Sequence, residues 1–372
     1  MKVLVAMDEF NGIISSYDAN RYVEEAIASE IERADIVQVP LFNGRHELLN
    51  SIFLWKSGTQ YHITAHDAEM NEVEVTYGQT DDGMTIIEAG QFLKGQQFRP
   101  NHTSYGLGEV IHHALDKKTE HIVISLGAID TSDGGVGMLQ ALGCRFYDDE
   151  GRLLDMKKGA TQIKYIRKMD TNDIHEGLKK CQIQLVSDFN SKLYGKKSEI
   201  MQTYQFIDIS RDTAVEIDNL LWYLAELFKS QLQLALGPIE RGGAGGGIAS
   251  AMHALFGAEI LSSHELVDQI TELDGLVKEA DLVIFGEGVN EKEQIIETSS
   301  LKIAELCQKH HKVAVAICGT SAKFNQYETL GVTGMFNTFI EMPQTYTDFK
   351  MGIQLRSYAR QAVKLLQAQL PA

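Results

Sequence analysis

The chain has 372 residues, enough for two or three domains with sizeable cores. Asp and Glu number 51 against 34 Lys and Arg, a formal charge of −17, so the molecule as a whole repels a phosphate backbone, which argues against non-specific nucleic-acid binding. With 44% hydrophobic and 23% charged residues the composition excludes wholesale disorder, and no apolar run reaches the roughly 18 residues that a membrane span requires.

The first apolar run, Val3–Met7, reads as a strand and not as a cleaved leader, because Asp8-Glu9 follows at once. Beyond it, runs of strand length alternate with stretches of helical period: strands at Ile36–Pro40, His121–Leu126, Ile183–Val186, Leu282–Phe285 and Val313–Cys318, helices at Asp18–Ile31, Gly108–Asp116, Val136–Leu142, Thr213–Leu234, Ile248–Phe256, Ser300–His310 and Thr347–Gln369. That alternation predicts an α/β fold with mainly parallel sheets. Between residues 61 and 90 the pattern changes. Tyr61–Thr64, Val73–Tyr77 and Thr85–Glu88 are short strands with no room for crossover helices, which predicts an antiparallel element. The return to βα alternation afterwards predicts two α/β domains, one inserted into the other: residues 1–75 with 275–372, and 76–274. The stripe from Leu220 to Leu236, with Trp222, Tyr223 and Phe228, is expected in the core. Cys144, Cys181, Cys307 and Cys318 form no C-x-x-C pair and read as buried free thiols of a reducing cytoplasm.

Several strands end in clusters suited to chemistry, on the edge where open α/β sheets bind ligands. The run Ser125 to Gly143 carries Asp130, Thr131, Asp133, Gly134, Gly135 and Gly137 between a strand and a helix, which suggests backbone amides facing an anion with a carboxylate beside them; helix capping by Ser132 or Asp133 explains part of it. Arg241 to Ala251 contains five glycines within residues 242–247, among them Gly243, Gly245 and Gly246; close phosphate approach and a tightly packed helix start both account for it. It is neither a Walker A loop nor G-x-G-x-x-G. Gly286-Glu287-Gly288 sets a carboxylate between glycines after a strand. If the sheet edges align, Asp8, Asp133, Asp188 and Glu287 converge on one cleft, where carboxylates can hold Mg²⁺ or accept a proton from an attacking hydroxyl. No H-E-x-x-H, Cys/His spacing or G-x-S-x-G is present, which argues against a structural zinc site and a serine hydrolase.

These segments resemble, in order along most of the chain, the bacterial glycerate kinase family. Asp8-Glu9-Phe10-Asn11-Gly12 is similar to its D-S-F-K-G, Thr103 to Glu109 to T-T-Y-G-T-G-E, Gly127 to Gly143 to G-G-S-A-T-N-D-G-G-A-G-M-L-Q-A-L-G, and Ser187 to Gly195 to C-D-V-D-N-P-L-x-G. The resemblance implies ATP-dependent phosphorylation of D-glycerate or a similar hydroxy acid with Mg²⁺. Asp188, Asp133 and Asp8 would be the catalytic acids, Asp133 and Asp188 the metal side. Gly134, Gly135, Gly243, Gly245, Gly246, Gly286, Glu287 and Gly288 would receive the nucleotide. Arg45, Arg241 and Thr131 would take the substrate. The implied partner is a small molecule, with no nucleic acid or membrane and a homodimer as one option.

Departures from the family pattern keep other readings open. Asn11 stands where the family has Lys, Asn43-Gly44-Arg45-His46-Glu47 replaces D-G-G-E-G, Ile129-Asp130 replaces Ser-Ala, and the L-D-G-Q and G-K-x-P pattern becomes Asn290-Glu291-Lys292-Glu293 and Glu297-Thr298-Ser299-Ser300. A catalytically impaired relative that binds a metabolite or partner, and a kinase of another sugar acid, are the alternatives.

Overall fold

The structure is a computed structural model that describes residues 1–42, 44, 47–127, 129–288, 298–338 and 347–368. Its strands are Lys2–Met7 (β1), Asp35–Gln38 (β2), Gly58–His66 (β3), Glu72–Thr80 (β4), Met84–Glu88 (β5), His121–Ser125 (β6), Arg145–Tyr147 (β7), Lys168–Asp170 (β8), Gln182–Val186 (β9), Glu259–Leu261 (β10), Leu282–Gly286 (β11), Val313–Cys318 (β12) and Gly334–Asn337 (β13). The α-helices are Ser16–Glu30 (α1), Leu48–Trp55 (α2), Tyr105–Asp116 (α3), Val136–Ala141 (α4), Glu199–Thr203 (α5), Arg211–Leu232 (α6), Ile248–Phe256 (α7), Ser263–Thr271 (α8), Leu273–Glu279 (α9), Ser299–Lys309 (α10), Phe324–Thr329 (α11) and Asp348–Gln367 (α12). Among the described residues no helix is long and apolar enough to cross a membrane.

The chain divides into two compact units, residues 1–43, 50–55 and 263–372, and residues 44–49 and 56–262. The division differs from the sequence expectation of 75 and 275. The hairpin β3–β4 pairs in register from Gly58↔Thr80 to His66↔Glu72, and β4 continues onto β5, so the whole antiparallel element belongs to the inserted unit. At the other end, β10 adds to the same sheet and closes that unit at Ser262.

The first unit carries a parallel sheet of order β13-β12-β11-β1-β2. Its central strands read as continuous apolar runs because helices cover both faces; Leu282, Val283, Ile284 and Phe285 are all buried. Helix α1 turns Ala19, Val23, Ala26 and Ile27 inward at helical spacing, and Ser15 caps it by accepting from the Asp18 amide at 3.0 Å. Burial of Val23 and Ile27 contributes about 1.5–3 kcal/mol each. Connections run from β1 to β2 on one side and from β11 to β12 and β13 on the other, so the chain reverses direction across the sheet between β1 and β11. Such a reversal opens a crevice beyond the carboxyl ends of the two strands.

The second unit carries a mixed sheet of order β10-β9-β6-β5-β4-β3 and a small ribbon, β7-β8. Register places Glu88, Ser125, Val186 and Leu261 in one row at the carboxyl edge. Helix α6 buries Ala214, Ile217, Leu221, Leu224, Ala225 and Phe228 on one face. Trp222 falls outside that face and is 49% exposed, which corrects its expected place in the core. The four cysteines are buried free thiols, and burial pushes those of Cys144, Cys307 and Cys318 up to about 12 and that of Cys181 to about 11.

Candidate active site

In the first unit, Asp8 leaves β1 at the topological reversal. Its amide donates to the Gly286 carbonyl at 2.9 Å, and its carboxyl accepts from the Glu9 amide at 2.7 Å. Gly286 ends the neighbouring strand, with Met7 as its register partner. A Cβ on Gly286 would stand 1.8 Å from the Ile317 carbonyl, and one on Gly288 would stand 2.3 Å from Asn11 Oδ1. Both glycines are therefore required by close backbone approach. Between them Glu287 is buried; Lys323 Nζ donates to its Oε1 at 2.8 Å and Tyr327 donates to the same oxygen at 3.1 Å. Two acids on adjacent strand ends, one held by a lysine and a tyrosine, are hard oxygen donors of the kind that suits a divalent cation.

In the second unit, Asp133 is fully buried and organises its loop. Oδ2 accepts from the Ser104 amide and hydroxyl at 2.9 Å each, from the Gly137 amide at 3.2 Å and from the Thr103 hydroxyl at 3.4 Å; Oδ1 accepts from the Gly135 amide at 2.9 Å. Burial pushes this carboxyl above the ordinary aspartate range even against those donors. Asp133 thus organises its loop through both carboxyl oxygens. The Gly134 amide donates to the Gly246 carbonyl at 2.9 Å and the Gly135 amide to Asp133 Oδ1 at 2.9 Å.

The glycine run is a packed wedge. A Cβ on Gly246 would stand 2.0 Å from the Thr131 carbonyl, and one on Gly243 would stand 2.2 Å from the Lys192 carbonyl. The Gly243 amide donates to Ser191 O at 3.2 Å and the Gly246 amide to Glu199 Oε2 at 3.3 Å, with Gly245 buried in the same turn.

Asp188 stands at this edge, two residues past β9. It is 7% exposed, and its Oδ2 accepts from the Gly44 amide at 2.9 Å; the Gly44 carbonyl accepts from the Gly127 amide at 2.6 Å. Glu88 closes the row. Its Oε1 accepts from the Leu48 amide at 3.0 Å and its Oε2 from Gln91 Nε2 at 2.6 Å, and burial pushes the carboxyl up to about 7. The hydroxyls of Ser125, Thr131 and Ser191 are buried and make no hydrogen bond among the described residues. Arg241 is half-buried with φ +54, a left-handed conformation that costs a non-glycine residue energy. Arg45 lies outside the described residues, as do Asn290 to Glu293 and Glu297.

The four acids therefore divide two and two, Asp8 and Glu287 in the first unit, Asp133 and Asp188 in the second. Sequence reasoning assigned no role to Ser104, Glu88, Lys323 or Tyr327. Ser104 lay inside a quoted motif, but the others carry no local pattern. His112, Asp116 and His175 also meet, yet His175 Nδ1 accepts the Gly177 amide at 3.1 Å, so its Nε2 keeps the proton and points it at Asp116 at 3.4 Å. Metal-bound histidines have the opposite arrangement, the second nitrogen donating.

Comparison with known proteins agrees with this architecture. Residues 3–367 match the model of the glycerate kinase family. The chain is 27% identical over 327 residues to the glycerate 2-kinase of Escherichia coli K12, covering 86% of this chain and 85% of that one. It is 27% identical over 347 residues to the glycerate kinase of Bacillus cereus, covering 91% and 90%. The crystal structure of a protein described as a glycerate kinase 2 from Salmonella typhimurium LT2 superposes with a TM-score of 0.86 at 25% identity, over 99% of this chain and 98% of that one. With its two α/β units and a family match that runs almost from end to end, the chain belongs to the glycerate kinase family.

Proposed function

We propose that the chain transfers the γ-phosphoryl group of ATP to a hydroxyl of D-glycerate or a closely similar small hydroxy acid. The observation that carries this reading is the pair Asp8 and Glu287 at the β1/β11 reversal, where glycines admit close backbone approach. In this reading the first unit takes the nucleotide phosphates, and Asp8 with Glu287 would hold the accompanying Mg²⁺. When bound, that cation neutralises charge on the phosphates. The donor chemistry of the two carboxylates fits it; the donor-saturated Asp133 does not.

The second unit takes the acid. Asp188, oriented by the Gly44 amide, accepts the proton of the attacking hydroxyl as the new phosphorus–oxygen bond forms and the bond to ADP breaks. The buried Thr131 hydroxyl, which makes no hydrogen bond among the described residues, is suited to a substrate oxygen, and Arg241 to the substrate carboxylate. Asp133 acts as the positioning residue of the loop that carries Thr131.

Coupled ADP release across three- to six-carbon hydroxy acids, with the product identified by phosphorus NMR, tests the proposal. Phosphoglycerate from glycerate and ATP is expected. Heat of glycerate binding with no ADP formed at any acid would replace the kinase with a metabolite-binding relative.

A further inference from the structure

The loop after β12 and the segment before α10 build a polar cluster that the reaction above does not use directly. Lys323, just ahead of α11, is 9% exposed, and its Nζ lies 2.8 Å from Glu287 Oε1 and 2.8 Å from Thr298 Oγ1. Tyr327, fully buried, donates to Glu287 Oε1 and packs edge-on against Phe285; its hydroxyl is also 3.1 Å from Ser300 Oγ. Thr298 and Ser300 join their hydroxyls at 3.1 Å, and Thr298 reaches Glu287 Oε1 at 3.5 Å. Among the described residues every side-chain hydrogen bond to the Glu287 carboxyl falls on Oε1, and Oε2 receives none.

A buried lysine–glutamate pair adds little net stability, because desolvating both charges offsets their attraction. The arrangement does two other things. It fixes the Glu287 rotamer through one oxygen, and it places a positive charge against that oxygen. Burial holds the Tyr327 hydroxyl well above its ordinary range, so it stays a donor.

We infer that Lys323 is a positioning residue that clamps Glu287 through Oε1 and so presents Oε2 to a divalent cation beside Asp8. The inference rests on the nucleotide reading of the first unit. Residues that orient a carboxylate ligand in this way are worth about 10- to 100-fold in metal affinity.

The probe is Mn²⁺ with ADP, followed by electron paramagnetic resonance on the intact chain without turnover, for the wild type, Lys323→Met, Lys323→Arg and Tyr327→Phe. Expected are Mn²⁺ affinity at least about tenfold weaker in Lys323→Met and restored to within about threefold by Lys323→Arg. The half-activating Mg²⁺ concentration should rise in parallel, with the KM for the acid unchanged. A folded Lys323→Met with wild-type Mn²⁺ affinity overturns the inference. If Lys323→Met does not fold, Tyr327→Phe decides: weaker Mn²⁺ binding supports the clamp and unchanged binding overturns it. A wild type that binds Mn²⁺ and ADP yet phosphorylates no acid sinks the kinase reading while leaving the clamp standing; an active wild type whose clamp variants bind Mn²⁺ normally sinks the clamp alone.

Discussion

Replacing Glu88 by glutamine isolates the stability cost of one buried acid. Unfolded, this carboxyl titrates near 4.5; folded, burial raises it to about 7. Between those values the native chain holds a proton that the unfolded chain has lost, so stability is highest at low pH and falls as pH rises from about 4.5 through 7. A shift of this size corresponds to about 3 kcal/mol once pH is above 7, at roughly 1.4 kcal/mol per unit. Glutamine keeps an acceptor for the Leu48 amide, and Gln91 can turn its own amide to meet the new donor. At pH 5 the two proteins should therefore unfold at nearly the same denaturant concentration. At pH 8 Glu88→Gln should be the more stable by about 3 kcal/mol. Trp222 lies in the same unit and Trp55 in the other, so urea unfolding read by fluorescence in a Trp55→Phe background follows the right unit. Stability curves of wild type and variant that run parallel from pH 5 to 8 would falsify the reasoning.

Three further outcomes are expected. Asp133→Asn turns an amide toward donors that now meet a carboxylate, and should cost about 2–4 kcal/mol; a midpoint of unfolding within experimental error of the wild type would remove Asp133 as the organiser of its loop. Asp188→Asn should lower kcat by about 10²–10⁴ with nucleotide affinity unchanged, and undiminished turnover would take the proton-accepting role away from it. Gly288→Ala puts a Cβ 2.8 Å from Phe10 Cα, so the Asp8–Asn11 loop must shift. Nucleotide binding should weaken by about tenfold or more while circular dichroism stays that of the wild type; calorimetry giving the parental affinity would show that this loop takes no part.

Most of the scaffold is legible in the order of residues alone. Periodicity located β1, β11 and β12 and the long helices to within a few residues, because a central parallel strand is a continuous apolar run and a covering helix repeats at 3.6. The antiparallel stretch between residues 61 and 90 was legible for the same reason. The unit boundary was not, since the pairing of β3 with β4 depends on where the hairpin finds its sheet. Short elements such as β10 and β13, of 3 and 4 residues, carry too few side chains for a period to emerge.

The surroundings of each acid and glycine, by contrast, come from long-range folding. Asp133, Asp188 and Glu287 look alike as acids following a strand, yet one is saturated by donors, one accepts from the Gly44 amide and one is clamped through one oxygen. The glycines of 242–247 read equally as a cradle or as a packed helix start, because what their amides meet depends on carbonyls and carboxylates remote in sequence, here Thr131, Lys192 and Glu199. Hydrogen bonding spans such distances while composition and spacing see only neighbours; Lys323 and Glu287 are 36 residues apart and meet only once β11 and β12 lie side by side.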